Sequence, residues 1–310
     1  MPRVALRAKR ETLRHPATEA LGASCYAAGM ITAGVDLAAE AKGTALAIIE
    51  WSDAVTVAAP ADGATTATPG AVDAGTEEPA PGDSMTAQRA TLTALTLGVG
   101  DDLIAETATR VDKLGIDCAL GWPDEFVDFV VAHRDERPLD PSSDGGMDWR
   151  RSLAYRETDR RVRARTGRWP LSVSTDRLGL TAMRCAGLLA RIAERGIPVD
   201  RSGAGRVVEI YPGASLRLWG FVTTNYRTDA RRRSELVTEV LAAAPWLEVG
   251  AFGALMHSST DAFDAVIAAL ATRAAALGAY DAPDERMLAR ARREGWVALP
   301  NGTVDSLAGR

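Results

Sequence analysis

Five short apolar runs along the chain predict β-strands, because each has the length and side-chain content of a buried strand. These runs, rich in Ile, Val, Leu and Ala, cover residues 31–37, 44–51, 91–99, 116–120 and 207–211. Strands come first along the chain, then helices and strands alternate, and helices close the sequence. This order predicts an α/β fold with a mixed central sheet and helices on its faces.

Helical periodicity and capping residues predict five helices between and after these strands. The predicted helices run from Asp101 or Asp102 to 114, from Ser174 or Thr175 to 195, and over 230–244, 260–277 and 285–294. Residues 121–147 contain three prolines and a Gly-Gly pair, so this segment is expected to be rich in loops.

The 310 residues are expected to form one domain over residues 31–300, followed by a tail at 301–310. Residues 60–85 contain almost no large apolar side chain, and we expect them to be a flexible insertion within that domain. Residues 1–30 show no regular pattern. They are expected to be a disordered extension, or a stretch ahead of a true start at Met30.

Charge and cysteine content exclude several classes of protein. A formal net charge of −5 excludes a generally basic, histone-like protein. Three widely spaced cysteines (Cys25, Cys118 and Cys185) exclude a zinc ribbon and a disulfide framework. An odd cysteine count, no long apolar run and no signal-peptide core together predict a cytoplasmic location without a membrane span.

Acidic residues recur where predicted strands end and where a late helix begins. Asp36, Asp117 and Glu209 lie in three of the apolar runs, and Asp261 and Asp264 open the helix at 260–277. Because a lone buried carboxylate is costly, three of them in one sheet suggest a shared cation. Oxygen ligands without a His or Cys cluster favour Mg²⁺ or Mn²⁺. The alternative is that each acid is a satisfied structural carboxylate or, for Asp261, an acid favoured by the helix dipole.

Two such ions held by carboxylates suit hydrolysis of a phosphodiester, which needs no protein nucleophile. An arginine-rich segment supports a nucleic-acid partner, since residues 150–168 hold eight arginines against two acids, a net charge of +6. Arg227, Arg231, Arg232 and Arg233 form a second group, and Trp149, Tyr155 and Trp169 are placed to stack on bases. The alternative for the arginines is a solvated helix face.

A set of motifs then occurs in a characteristic order: GVDLAAEAKGTALAII, GIDCALGWP, RETDRRVRARTG, VVEIYPGASL, YR at residues 226–227, DAFDAVIAALATRAA and EGWVALP. In this order the chain resembles the domain of unknown function 429 family over residues 31–300. The resemblance implies an RNase H-like fold and a nuclease activity. The helix TDAFDAVIAAL is also similar to the last acidic helix of RuvC-type resolvases.

Carried over by position, the resemblance implies that Asp36 is a first-strand acid bridging two metal ions. Asp117, Glu209 and Asp264 would complete the catalytic set, with Asp261 as a helper ligand, while Cys118 and its neighbours depart from the family motif. The RETDR element implies a local Arg156–Asp159 pair that directs the arginine toward a phosphate or substrate anion. The residues expected to bind substrate are Arg156, Asp159, Arg160, Arg227 and Arg231.

The sequence therefore predicts a metal-dependent nuclease that uses Mg²⁺ or Mn²⁺, with DNA and RNA both open as substrates. One alternative is a nucleotide-binding or phosphoryl-transfer protein of the actin-like ATPase branch, although no internal repeat or second glycine-rich loop supports it. The other alternative is a nucleic-acid-binding module that has lost its activity.

Overall fold

The computed structural model describes residues 29–52, 55–56, 86–87, 89–138 and 145–309. Residues 1–28 of the expected extension, and the expected insertion at residues 60–85, lie outside this part of the chain. Met30 is already the first residue of a strand.

Six strands form one mixed sheet, and two short strands pair separately in the described part of the chain. The strands are β1 (Met30–Asp36), β2 (Ala45–Trp51), β3 (Val55–Thr56), β4 (Thr86–Ala87), β5 (Ala90–Leu97), β6 (Lys113–Asp117), β7 (Val207–Glu209) and β8 (Leu247–Glu248). The large sheet has the order β7-β6-β1-β2-β5-β8. Only β2 runs antiparallel to the other five strands of this sheet.

Ten α-helices accompany these strands among the described residues, which confirms the α/β class. They are α1 (Asp101–Arg110), α2 (Asp124–Arg134), α3 (Met147–Ala154), α4 (Glu157–Thr166), α5 (Gly179–Glu194), α6 (Pro212–Leu218), α7 (Ala230–Ala243), α8 (Gly253–Ser258), α9 (Thr260–Ala276) and α10 (Glu285–Glu294). Short 3₁₀ turns lie at Ala41–Gly43, Gly250–Phe252 and Asp305–Ala308.

Two of the helix predictions were wrong at one end, and one further helix lies in the segment expected to be rich in loops. α1 ends at Arg110 instead of residue 114, because Leu114 and Gly115 pair with β1 as part of β6. α5 begins at Gly179, after the predicted caps Ser174 and Thr175. The segment expected to be loop contains α2, whose side chains are all at least partly exposed, so it carries no buried apolar stripe for a pattern to detect.

The position of α9 decides where the functional side chains meet. This helix is almost wholly buried and packs across β1, β2 and β6. A side chain at Gly34 would overlap the backbone of α9 at Ala269, and one at Gly115 would overlap Thr272. The two glycines therefore let the helix lie directly on the sheet.

The opposite face of the sheet is covered by α1 and α5, which pack on residues adjacent to those glycines, such as Val35 and Ile116. The parallel strands β1, β6 and β7 are thus largely buried on both faces, whereas β5 keeps one face exposed. Within the described residues, no helix combines the length and the apolar content needed to cross a membrane.

Candidate active site

Three acids converge at one edge of the sheet. Asp36 and Asp117 are the last residues of the parallel neighbours β1 and β6, and they are directly paired in register. α9 starts at this edge and presents Asp264 from its second turn. One carboxylate oxygen from each acid lies within 4.8 Å of the other two. We refer to Asp36, Asp117 and Asp264 as the three-acid cluster.

Burial and mutual repulsion raise the pKa values of all three carboxyl groups. Burial, followed by the charges of Asp117 and Asp264, raises the pKa of Asp36 to about 9. Burial raises the pKa of Asp117 to about 7 although Arg227 opposes the shift, and burial also raises the pKa of Asp264. Without an added cation, the cluster therefore favours the protonated form of these carboxyl groups.

Asp264 is held by two neighbouring residues. The hydroxyl of Tyr226 donates a hydrogen bond of 2.8 Å to its Oδ1, and Nη2 of Arg227 lies 2.9 Å from its Oδ2. Nη2 of Arg227 also lies 3.7 Å from Oδ2 of Asp117, and its Nε donates to the Tyr226 hydroxyl at 3.0 Å. By contrast, the Asp36 carboxylate makes no hydrogen bond or ion pair with any described residue.

Glu209, expected to be the fourth acid, does not join this cluster. In the register of β6 and β7 it lies opposite Ile116, whose side chain faces α1 and α5. Because side chains alternate along a strand, Glu209 points away from the face that carries Asp117. Both of its oxygens are occupied: Arg156 donates to Oε1 at 2.7 Å and to Oε2 at 2.8 Å, and the Leu120 amide donates to Oε2 at 3.0 Å.

The expected pair between Arg156 and Asp159 is present, but it does not face solvent. Nη2 of Arg156 lies 2.9 Å from Oδ1 of Asp159, the third residue of α4, and the backbone N–H of Arg156 donates to Oδ2 of Asp159 at 2.9 Å. Arg156, Asp159 and Glu209 are all buried, and we call them the buried ion-pair network. The guanidinium of Arg156 is occupied by two protein carboxylates, but Arg156 and Asp159 also line the cavity beside the three-acid cluster, so a contact between Arg156 and a substrate anion stays a prediction.

Most of the other residues expected to bind metal or substrate lie away from the three-acid cluster. Asp261 is partly buried near the start of α9, outside the three-acid cluster, although its charge raises the pKa values of Asp36 and Asp264. Arg160 pairs with Glu157 at 3.0 Å on α4, and the highly exposed Arg231 pairs with Glu235 at 2.9 Å on α7. Of the expected substrate-binding arginines, only Arg227 contacts the cluster.

Much of the arginine-rich segment is engaged within the protein. Arg161 forms a two-point ion pair with Asp281, and Arg165 donates to the carbonyls of Leu299 and Pro300. These partners lie far along the chain from residues 150–168. The net charge of that segment is therefore larger than the positive charge that it leaves free for a ligand.

The aromatic residues expected to stack on bases already have protein neighbours. Tyr155 and Trp169 stack on each other at 4.2 Å between ring centroids, and Trp149 meets Phe129 edge-on at 5.6 Å. Trp169 keeps 42% of its surface exposed, so one stacked ring of this pair still reaches solvent.

A cavity of about 190 Å³ joins the two groups of charged residues. Asp36, Asp117, Arg227 and Glu209 contribute to its polar wall. Its apolar lining includes Leu37, Pro170, Leu171 and Leu178. The cavity can therefore accept a ligand with a charged group at the acids and an apolar or aromatic part opposite.

A family described as "Protein of unknown function (DUF429)" matches residues 34–287. The chain belongs to this family. The match contains all three acids of the cluster and both members of the Tyr226–Arg227 pair, whereas the last motif, EGWVALP, lies beyond it. No curated protein and no solved structure matches the chain.

Sequence reasoning missed Tyr226 as a site residue. The available signal was its position beside Arg227 together with the rule that a buried tyrosine hydroxyl needs a partner. Nothing in the sequence identified that partner as Asp264.

Proposed function

We propose that this DUF429 protein hydrolyses phosphodiester bonds in nucleic acid with the help of Mg²⁺ or Mn²⁺ held by the three-acid cluster. The observation that carries the proposal is the environment of the Asp36 carboxylate. This carboxylate has no protein partner among the described residues, yet it lies beside two further carboxylates. A buried carboxylate without a donor is costly, and a cation is the partner that the site can still accept.

The donor set fits a hard divalent cation. Three carboxylates each offer an oxygen, their ligand atoms lie within 4.8 Å of one another, and no described His or Cys joins them. Mg²⁺ and Mn²⁺ prefer such oxygen ligands. Bound there, the ion would polarise a phosphodiester and stabilise the charge that develops on its oxygens.

The fold supports the same proposal. We infer an RNase H-like arrangement, because β2 alone is reversed in the sheet and the acids stand at the ends of β1 and β6. The closing helix α9 adds its acid at the same edge. This combination agrees with the expectation drawn from the family motifs.

Substrate contacts are assigned first to Arg227, whose side chain is 48% exposed beside the cluster. Arg160 and Arg231 remain candidates for contacts to the nucleic-acid backbone away from the reacting phosphate, since each also has a carboxylate partner. We also propose a reducing location such as the cytoplasm, because Cys118 and Cys185 are both free thiols.

Cleavage of end-labelled single- and double-stranded DNA and RNA tests the proposal, with Mg²⁺, Mn²⁺ or a chelator present. We expect metal-dependent cleavage of at least one substrate and a loss of at least about 100-fold in Asp36→Asn. A matched control is Glu239→Gln, an exposed acid on α7 that should cleave like the wild type. Equal activity of Asp36→Asn and wild type would contradict the proposal.

Two outcomes would favour the alternatives. Saturable ATP binding without cleavage would support a nucleotide-binding protein. Binding of nucleic acid that is unaffected by metal ions and by Asp36→Asn would support a module without catalytic activity.

A further inference from the structure

Arg227 occupies an unusual position for a substrate-binding arginine. Its Nη2 lies between two acids of the three-acid cluster, 2.9 Å from Oδ2 of Asp264 and 3.7 Å from Oδ2 of Asp117. Its Nε is fixed by the Tyr226 hydroxyl at 3.0 Å. The guanidinium is therefore held by Tyr226 through Nε, and it bridges the carboxylates of Asp117 and Asp264 through Nη2.

The charges of the cluster balance with one divalent ion when Arg227 stays in place. Three ionised carboxylates carry three negative charges, and the guanidinium supplies one positive charge. One divalent cation supplies the other two. A second divalent ion would leave an excess positive charge beside the guanidinium, in surroundings where charges interact strongly.

The described residues also offer few ligands for a second ion. Both oxygens of Glu209 are occupied by Arg156 and by a backbone amide. Asp159 accepts from Arg156 through both of its oxygens. Asp261 lies on α9 but outside the group whose oxygens converge. A second ion would have to share the three carboxylates and compete with Arg227 for Asp117 and Asp264.

We propose that Arg227 is a resident cation of the three-acid cluster, standing in the place of a second divalent ion, so that the site binds a single Mg²⁺ or Mn²⁺. This inference rests on the proposed function and replaces the two-ion arrangement expected from the sequence. Among the described residues, Nη1 of Arg227 has no partner, and the side chain is half exposed. That nitrogen is available to a phosphate oxygen of the substrate while Nη2 stays on the carboxylates.

Mn²⁺ titration without any nucleic acid tests the inference, with bound ions counted by electron paramagnetic resonance and calorimetry. We expect one ion for the wild type. Arg227→Met removes the charge but keeps an unbranched side chain, and it is expected to bind two ions, the first about tenfold more tightly because a repelling cation is gone. Arg227→Lys keeps the charge and should bind one.

Arg191→Met is the matched control, since Arg191 is an exposed arginine that pairs with Asp102 on the opposite side of the sheet from α9. It should bind one ion with wild-type affinity, and circular dichroism should show that every variant is folded. Two ions in the wild type, or one ion with unchanged affinity in Arg227→Met, would overturn the inference and leave the proposed function standing. No ion in the wild type would overturn both.

Discussion

Two groups of buried charges lie at the same edge of the sheet, and they are organised in opposite ways. In the buried ion-pair network, Arg156 satisfies Asp159 and Glu209 with paired hydrogen bonds, and all three side chains are removed from solvent. In the three-acid cluster, the half-exposed Arg227 reaches two acids and leaves Asp36 without a partner. The first group is satisfied within the protein, whereas the second offers the carboxylate that the proposed cation would bind.

The difference teaches that carboxylate burial alone does not identify a metal site. Burial raises the pKa of Glu209, but Arg156 and the Leu120 amide act against that shift. At Asp36, the charges of Asp117 and Asp264 add to the effect of burial, and the opposing charge of Arg227 does not prevent a pKa of about 9. The acids of the buried ion-pair network are thus compensated by groups of the protein, while the shifted pKa values of the three-acid cluster make it the candidate binding site.

The largest effect is expected from breaking the buried ion-pair network. Arg156→Met should lower the free energy of unfolding by about 3–5 kcal/mol, because two buried carboxylates lose their cation. Urea denaturation followed by circular dichroism measures the change. The exposed control Arg191→Met should change it by no more than about 0.5 kcal/mol.

Adding Glu209→Gln and Asp159→Asn to Arg156→Met should restore part of the lost stability, since the unpaired charges disappear with the arginine. A loss below about 1 kcal/mol in Arg156→Met would show that the network is less important than its geometry indicates.

A smaller effect is expected when a cation is added to the three-acid cluster. Mg²⁺ at one hundred times its dissociation constant should stabilise the wild type by about 2.7 kcal/mol. Asp36→Asn should lose this gain, and Glu209→Gln should keep it, since Glu209 belongs to the other group. Thermal unfolding with and without Mg²⁺ compares the three proteins. A Glu209→Gln variant that no longer responds to Mg²⁺ would instead make Glu209 a ligand.

Without metal, the same cluster should make stability depend on pH. The pKa of Asp36 is about 9 in the folded protein against an ordinary value of 3.8, so the folded state holds this proton more tightly than the unfolded state. The cost of ionising Asp36 is absent below pH 3.8 and grows as the pH rises toward 9.

Asp36→Asn resembles the protonated acid and removes that cost. In a chelator it should nearly match the wild type near pH 4 and be the more stable protein at pH 8, by at least about 2 kcal/mol. Parallel urea titrations at several pH values check this. An Asp36→Asn variant less stable than the wild type at pH 8 would mean that the carboxylate has a favourable partner.

Part of this organisation was predictable from the sequence. Acids at the ends of apolar strands predict that Asp36 and Asp117 can converge beside the sheet, and the family resemblance adds Asp264 from the last acidic helix. Glu209 satisfied the same pattern. Its face depends on the pairing register between β6 and β7, and a shift of one residue reverses the face. The apolar run alone does not fix that register.

The arginines show a second limit to what the sequence can predict. The pair between Arg156 and Asp159 is local and was predicted, because residues three apart meet on one face of a helical turn. Their contact with Glu209, and that of Arg161 with Asp281, joins residues distant along the chain. Such contacts follow from the packing of α4 against α6 and α10, which local composition does not reveal.

The smallest effect is expected from removing the Tyr226 hydroxyl. This change separates the hydrogen bond between Arg227 and Tyr226 from the ion pair between Arg227 and Asp264. In Tyr226→Phe, Asp264 loses a hydrogen bond of 2.8 Å and Nε of Arg227 loses its acceptor. The expected cost is about 1 kcal/mol in unfolding free energy. Tyr211→Phe is the matched control, because the Tyr211 hydroxyl lines the same cavity without a hydrogen bond to any described residue, and it should be neutral. If the two substitutions have equal effects in urea denaturation, the Tyr226 hydroxyl does not hold Arg227 on the cluster, and the ion pair with Asp264 alone positions the guanidinium.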